Sequence, residues 1–481
     1  MPKTITTPTL FLALCIYLAL FTIIKNDRIV YASSQTIKVP DDYLTIQEAV
    51  NNAKYGDIIF VRAGVYYENI VIDKSIILIG ENQENTIING TYKNHVISIM
   101  APDVTITGFT VCNSYPNISW LCGIFIMQFG NITLYNNKII SNGIGVQAYF
   151  SSRNKIHHNL ISANDIGVQL INSSNNFIYR NVISRNSLGM DIYLNSTGNM
   201  IYENTIFDNY RAIDLSFHSS NNFFYHNNFI KNSYYNVYAG TINLWNYGNK
   251  GNYWEDYRGW DLNKDGVGDI PYNIGEGNID RYPLMGKFSA FDVAFKGETY
   301  SVAIISNSTI LNFAFKADIK CRTKTITFNT SLNGFAGFSK VIIPKELMKN
   351  IHTVLINGNE VNATPIDIAD AKNVHLYFDY SNNCSIEIIY FELLDIYHQL
   401  LNDYSGLNSA YSLLVEKFNA FNETLNNLIE EYSNVQKQLQ DINLRHQNQA
   451  ENLKGLTYIF AVLTAVLIIA IIYLSKAAYR K

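Results

Sequence analysis

The sequence predicts an all-β chain built on a right-handed parallel β-helix, followed by a β-sandwich, an α-helical coiled-coil stalk and one transmembrane helix. Three observations carry this. A repeat of 22 or 23 residues runs from Asn131 to Tyr238, apolar and polar residues alternate from Phe291 to Phe391, and apolar residues recur at 4-3 spacing from Leu393 to Ile442. The expected boundaries are a signal peptide at 1–32, the β-helix at 33–240, its closing segment at 241–286, the sandwich at 287–391, the stalk at 392–454, the membrane helix at 455–475 and a tail at 476–481.

The repeat aligns on two asparagine columns. One holds Asn137, Asn159, Asn181, Asn204 and Asn227; the other holds Asn142, Asn164, Asn186, Asn209 and Asn232. Between them lie strand-length apolar runs, with Gly145, Gly167 and Gly189 three residues after the second asparagine. A fixed short period of strands and bends is a solenoid signature, and its rungs stack at about 4.8 Å. Amides stacked in register hydrogen-bond along the column, so the asparagines are assigned to the bends.

Residues Leu10 to Ile24 are continuously apolar and precede Val30-Tyr-Ala32, the form of a signal peptide with its cleavage site. Leu456 to Leu474 is apolar for about a bilayer span, and Lys476, Arg480 and Lys481 follow it. This predicts a cell-surface, single-pass protein with its bulk outside and a cytoplasmic tail. With 36 basic and 40 acidic residues the net charge is −4, which gives no reason to expect a nucleic-acid partner. Export permits disulfides, and proximity in sequence suggests Cys112 with Cys122 and Cys321 with Cys384.

Thr45-Ile-Gln-Glu-Ala-Val50, Gly56-Asp57, Gly64-Val-Tyr66 and Glu68-Asn69-Ile70 open the solenoid. In these residues the chain resembles the pectin-lyase-like superfamily. It is similar in particular to the NosD-like branch, also described as carbohydrate-binding and sugar-hydrolase β-helices. Such proteins commonly end their helix as this chain does, with Asn252-Tyr-Trp254, the run Asp265 to Tyr272, and Tyr282-Pro-Leu284. The resemblance implies a membrane-anchored surface protein of the archaeal type that binds polysaccharide.

Two columns of the repeat are left for function. The polar column Gln147, Gln169, Asp191, Asp214 and Tyr238 alternates with apolar neighbours and is expected to face solvent. Asp191 and Asp214 on adjacent rungs are the candidate catalytic pair, since a retaining glycosidase needs carboxylates about 5 Å apart. A glycoside hydrolase or polysaccharide lyase is therefore the alternative function. Arg185 and Arg211 fall in other columns, so neither is assigned as a base. The aromatic column Tyr135, His157, Tyr179, Tyr202 and Tyr225 is the candidate sugar-binding strip.

Asp261, Asn263, Asp265 and Gly266 match the first half of an EF-type calcium loop, but the twelfth position is Tyr272, so Asp269 must supply the missing ligand. Calcium is the expected cofactor. The NosD name also implies periplasmic copper binding as an accessory to a copper reductase, the third functional class. A copper site wants clustered His, Met or Cys, whereas this chain has His157-His158, His218, His226 and seven dispersed Met, so copper is not expected.

In the alternating region Asp367, Asp370 and His375 are scattered and expected to be solvated. The 4-3 spacing covers seven heptads, which predicts association of copies of the chain through the stalk.

Overall fold

The computed structural model describes residues 34–478 apart from 115–119, 319, 333, 335, 352, 362–363, 366–369 and 437–444. The expected signal peptide lies outside the described residues, as does Tyr115 of the insertion between Ser114 and Leu121. The repeat folds into three parallel sheets. Sheet A has nine strands from Thr36–Val39 to Phe223–Tyr225, sheet B nine from Gly64–Tyr67 to Tyr253–Trp254, and sheet C eight from Ile70–Ile72 to Tyr235–Ala239. Each residue pairs with its counterpart one repeat away, as Ile156 does with Ile178 and Ile183 with Ile206. One apolar residue in each three-residue strand of sheets A and B, and two in most sheet C strands, point inward, and these fill a continuous core from Ile37 to Trp254.

Single left-handed residues turn the chain between sheets A and B: Asn136, His158, Arg180, Glu203 and His226 all have φ between 54° and 58°. A non-glycine residue there is strained, so something must hold it. The next residue is the buried asparagine of the first column. Asn159 Oδ1 accepts both the backbone N–H of Asn137 (3.0 Å) and its Nδ2–H (3.1 Å). The Asn159 amide in turn donates to Leu134 O and His157 O, both at 2.9 Å, and to Asn181 Oδ1 at 3.1 Å. The second column repeats this at the next corner. A third ladder, Asn154, Asn176, Asn199, Asn222 and Asn243, closes the corner between sheets C and A.

The glycine column lies within the sheet C strands and does not form the bends. A Cβ on Gly167 would sit 2.5 Å from the carbonyl oxygen of Gly189 on the next rung, so close backbone approach excludes a side chain.

Both ends of the solenoid are closed. At the start, helix α1 (Ile46–Asn52) buries Ile46, Ala49 and Val50 over the first rung. The Glu68 carboxylate accepts the N–H groups of Ile46 and Gln47, both at 2.9 Å, and Thr45 Oγ1 accepts that of Glu48 at 3.1 Å. At the far end Trp245 stacks on Phe224 at 4.3 Å and Trp254 on Phe229 at 4.2 Å, plugging the core. The first ladder passes through Asn227 and Asn252 and ends on Asp280. The Asp280 carboxylate is fully buried and accepts Asn252 N–H (2.7 Å), Asn252 Nδ2–H (3.2 Å), Trp254 Nε1–H (2.9 Å) and Tyr282 N–H (3.0 Å).

Lys287–Phe391 forms two five-stranded antiparallel sheets with a shared core that includes Val302, Ile304, Ile326, Phe328, Ile386 and Ile388. They dock on the solenoid through Asn228, whose amide exchanges two 2.8 Å hydrogen bonds with the backbone of Phe288. Arg180 adds 2.6 Å contacts to Glu203 and Asp292. Asp370 and His375 are not scattered or solvated: the His375 Nε2 lies 2.9 Å from Asp370 Oδ2 and the imidazole is buried. Asp367 lies outside the described residues.

Neither expected disulfide forms, since all four described cysteines are free. Cys112 ends a sheet B strand and Cys122 begins a sheet C strand, which points them along different faces. Cys384 pairs with Thr330 at one end of the strand Thr323–Ser331, while Cys321 lies just before its other end.

The chain continues into helix α2 (Glu392–Gln436) and helix α3 (Arg445–Ala478). Among the described residues no helix is long and apolar enough to cross a membrane. The expected span, 455–475, runs beyond residue 469, the last in α3 whose side chain is described.

Two outcomes follow from the ladders. Asn181→Ala removes an acceptor used twice and a donor used three times in a buried corner, so urea unfolding is expected to show a loss of about 3–5 kcal/mol. Burial pushes the Asp280 carboxyl from its ordinary 3.8 up to about 6, against its hydrogen bonds. The folded state then holds a proton between about pH 4 and 6 that the unfolded state has released, so this group's contribution falls as pH rises through that window. The Tm of Asp280→Asn is expected to match that of the parent at pH 4 and to exceed it at pH 7.

Candidate functional site

The outward residues of sheet C carry the chemistry. Gln147, Gln169, Asp191, Asp214 and Tyr238 are register partners on five successive rungs, as the spacing predicts. The column is more covered than expected, with Gln147 only 8% exposed. Its side chains form a relay. Cys122 Sγ donates to Gln147 Oε1 at 3.6 Å, Gln147 Nε2 donates to Gln169 Oε1, and Gln169 Nε2 donates to Asp191 Oδ2 at 2.7 Å.

The two acids have different surroundings. Burial raises the pKa of Asp191; the hydrogen bond from Gln169 opposes this, and the Asp214 charge adds to it. Asp214 accepts from Arg211 Nη1 at 3.0 Å and from the Tyr235 hydroxyl at 2.6 Å. Burial, with the bond to Asp214, pushes the Tyr235 phenol up to about 12. Arg211 does start from another column, as expected, but its long side chain spans three residues to reach the acid. Arg185 instead lies at a different corner, 3.7 Å from Asp208.

Where the column runs out, a cleft of about 630 Å3 opens between the last sheet C strand and the closing segment. Tyr234, Tyr235, Glu255, Asp256, Arg258 and Tyr272 line it. The Tyr272 hydroxyl donates to both Asp256 oxygens, at 3.0 and 2.9 Å. Arg258 Nη1 donates to the carbonyls of Glu255 and Tyr257 at 2.7 and 2.8 Å, which fixes the guanidinium at the wall. Tyr234 stacks on Tyr210 at 5.3 Å and remains 66% exposed. The sequence places Tyr238 at the end of the sheet C column and gives no expectation of the cleft. The available signal was the dense run Tyr234-Tyr235-Asn-Val-Tyr238 leading into Asn252-Tyr-Trp254.

The aromatic column is assembled as expected, and its rings stack on one another. Centroids from Tyr135 through His157, Tyr179 and Tyr202 to Tyr225 are 5.3, 4.7, 4.9 and 5.0 Å apart, with planes within 13° of parallel. His157, Tyr179 and Tyr202 therefore have both faces covered by neighbours, leaving edges and hydroxyls outward. Burial drives the His157 imidazole down to about 4 and the Tyr202 phenol up to about 12. Trp120, from the insertion, is 67% exposed.

In the loop proposed for calcium, the side chains cap the backbone. Asp261 accepts the N–H groups of Asp265 (3.0 Å) and Gly266 (2.8 Å), Asp265 Oδ1 that of Val267 (2.8 Å), and Asp269 Oδ2 that of Leu262 (2.8 Å). Asn263 Oδ1 accepts from Asp265 N at 3.2 Å. The buried Lys340 packs its stem on Gly266, and its ammonium is attracted by Asp265 and Asp261. Among the described residues no three His, Cys, Asp or Glu side chains are grouped to hold a metal ion.

Residues 50–259 match the family model described as "Periplasmic copper-binding protein (NosD)". Over those residues, which make up less than half of the chain, it is similar to the NosD family. Over 43 residues the chain is 49% identical to a probable ABC transporter binding protein NosD of Stutzerimonas stutzeri, a match spanning 9% of this chain and about a tenth (10%) of that protein. Similar solved structures include an alginate lyase from a Paenibacillus species, with 12% identity, 44% of this chain and 98% of that one covered, and a TM-score of 0.32. The Dettilon tailspike protein has 11% identity, covers 74% and 94%, and scores 0.29. The A-module of a mannuronan C-5 epimerase from Azotobacter vinelandii has 14% identity, covers 40% and 78%, and scores 0.26.

The described residues of the solenoid do not fit the copper ion that the matching family's description implies. His157 and His158 place their Nδ1 atoms 2.9 Å apart, but His157 is held within the aromatic stack, His218 is exposed elsewhere, and His226 is buried against Phe288 at 4.1 Å. Because the carboxylates of the 261–269 loop already cap N–H groups, EDTA is expected to leave the Tm unchanged. A fall of several degrees, reversed by calcium, would establish an ion there.

Proposed function

We propose that this chain binds polysaccharide outside the cytoplasm, and that the cleft at the C-terminal end of sheet C is the binding site. One observation carries the reading: the exposed Tyr234, the half-buried Tyr235 and Tyr272 and fixed polar groups converge on a concave surface of about 630 Å3. Sugar rings present apolar C–H faces and rims of hydroxyls. Tyr234 offers exposed aromatic surface for the first, while Glu255, Asp256 and Arg258 offer acceptors and donors for the second. The stacked column from Tyr135 to Tyr225 has fewer free faces and is assigned to sheet packing. The NosD family's periplasmic description supports a location outside the cytoplasm.

A hydrolytic reading through Asp191 and Asp214 has a specific observation in its favour. The two acids are register partners, and one is buried beside an amide while the other is held by a cation and a phenol. Environments that differ in this way are how paired carboxylates divide acid and base roles.

A polysaccharide array probed with the full-length chain tests both readings. Binding is expected, with at least a tenfold loss in Tyr234→Ala and Asp256→Ala and retention in Tyr179→Ala. The reverse pattern would move the site to the aromatic column, and no binding to any glycan would sink the proposal. Reducing ends released by the parent and abolished in Asp191→Asn would make the protein a glycosidase.

A further inference from the structure

Helix α2 presents an apolar seam that the described chain leaves largely uncovered. In heptad terms Leu393, Leu400, Leu407 and Leu414 occupy d positions, and Tyr397, Tyr404 and Tyr411 occupy a positions. With Phe421 and Leu428, nine seam residues are between 48% and 68% exposed. Helix α3 reaches the seam near Phe418, whose ring meets Phe460 edge-on at 6.4 Å, and leaves Leu393 to Leu414 bare.

The seam itself specifies the partner. A single helix in water has no reason to keep apolar residues on a 3.5-residue period over this length, whereas a supercoil requires it. Tyrosine at every a position and leucine at every d position of the first three layers means that a parallel, unshifted copy meets tyrosine with tyrosine and leucine with leucine. An antiparallel helix, or one shifted by anything but a whole heptad, would break those layers, and a whole-heptad shift would leave a tyrosine and a leucine layer at each end unpaired. The flanking e and g positions are largely uncharged, with Leu394, Leu401 and Val415 at e and Ala410 at g, so no charge pattern selects a different chain. Area agrees: nine half-exposed large side chains bury roughly 100 Å2 each, about 900 Å2 per copy against the ~800 Å2 per partner of a standard stable interface.

We propose that copies of this chain associate through α2 as a parallel, in-register coiled coil. The assembly does not depend on the glycan reading. If that reading holds, several clefts act on one polymer, and avidity raises the apparent affinity by more than any one cleft supplies.

The test uses the full-length chain in mild detergent, with Cys321→Ser removing the exposed thiol; the other described cysteines are buried. Leu407→Cys in this background is expected to form an intermolecular disulfide on mild oxidation, because d positions of parallel copies face each other. Ser409→Cys, on the opposite side of the helix, is expected to stay unlinked. Light scattering is expected to give a whole-number multiple of the chain mass, falling to one chain in the Leu400→Glu, Leu407→Glu double variant. A parent chain of monomer mass, or cross-linking at 409 as fast as at 407, would overturn the proposal. Both readouts are independent of any ligand.

Discussion

The constraint on which the rest of the structure depends is the supply of hydrogen-bond acceptors to the corners. From Asn136 on, each corner between sheets A and B turns through a single left-handed residue, which exposes backbone N–H groups toward the interior. Water cannot reach them, and an unpaired buried donor costs about 1–3 kcal/mol. The asparagine of the following rung supplies the oxygen, and its own amide binds carbonyls behind it. Core packing, strand register and the aromatic stack on the flank all presuppose that this exchange is intact. The short side chain is essential: Gln would reach past the corner, and Asp would lack the N–H groups that bind the carbonyls.

The same constraint locates the candidate site. A ladder that passes its demand along the chain must be relieved at its end, and here the relief is Asp280, Trp254 and the strand pair Tyr272–Gly275 and Asn278–Asp280. To bring Asp280 under the last asparagine, the closing segment folds back against the final rung. The concavity lined by Tyr234, Asp256 and Tyr272 is the space between the two. The tryptophans that plug the core and the tyrosines that wall the cleft thus belong to one device.

Much of this was legible in the sequence. The two asparagine columns, the sheet C column and the stacked aromatics are fixed by a period, and periodic features survive without knowledge of distant contacts. The third ladder escaped notice because its residues share a corner with serines and an irregular loop, which blurs the spacing. The cleft escaped because it joins Tyr234 to Tyr272 across residues that no period relates. Arg211 was set aside on its column alone, although a side chain of its length crosses between columns. The disulfides failed for a related reason: nearness in sequence says little in a coil where four residues can carry the chain to another face.

The ladder has a direction. Each asparagine both receives from the preceding rung and donates onward to the next, whereas Asp280 only receives. A carboxylate offers no N–H with which to extend the series, so the solenoid can lengthen only by duplication of whole rungs upstream of it. Asp280 therefore works as a chain terminator, and the cleft is built at the terminator.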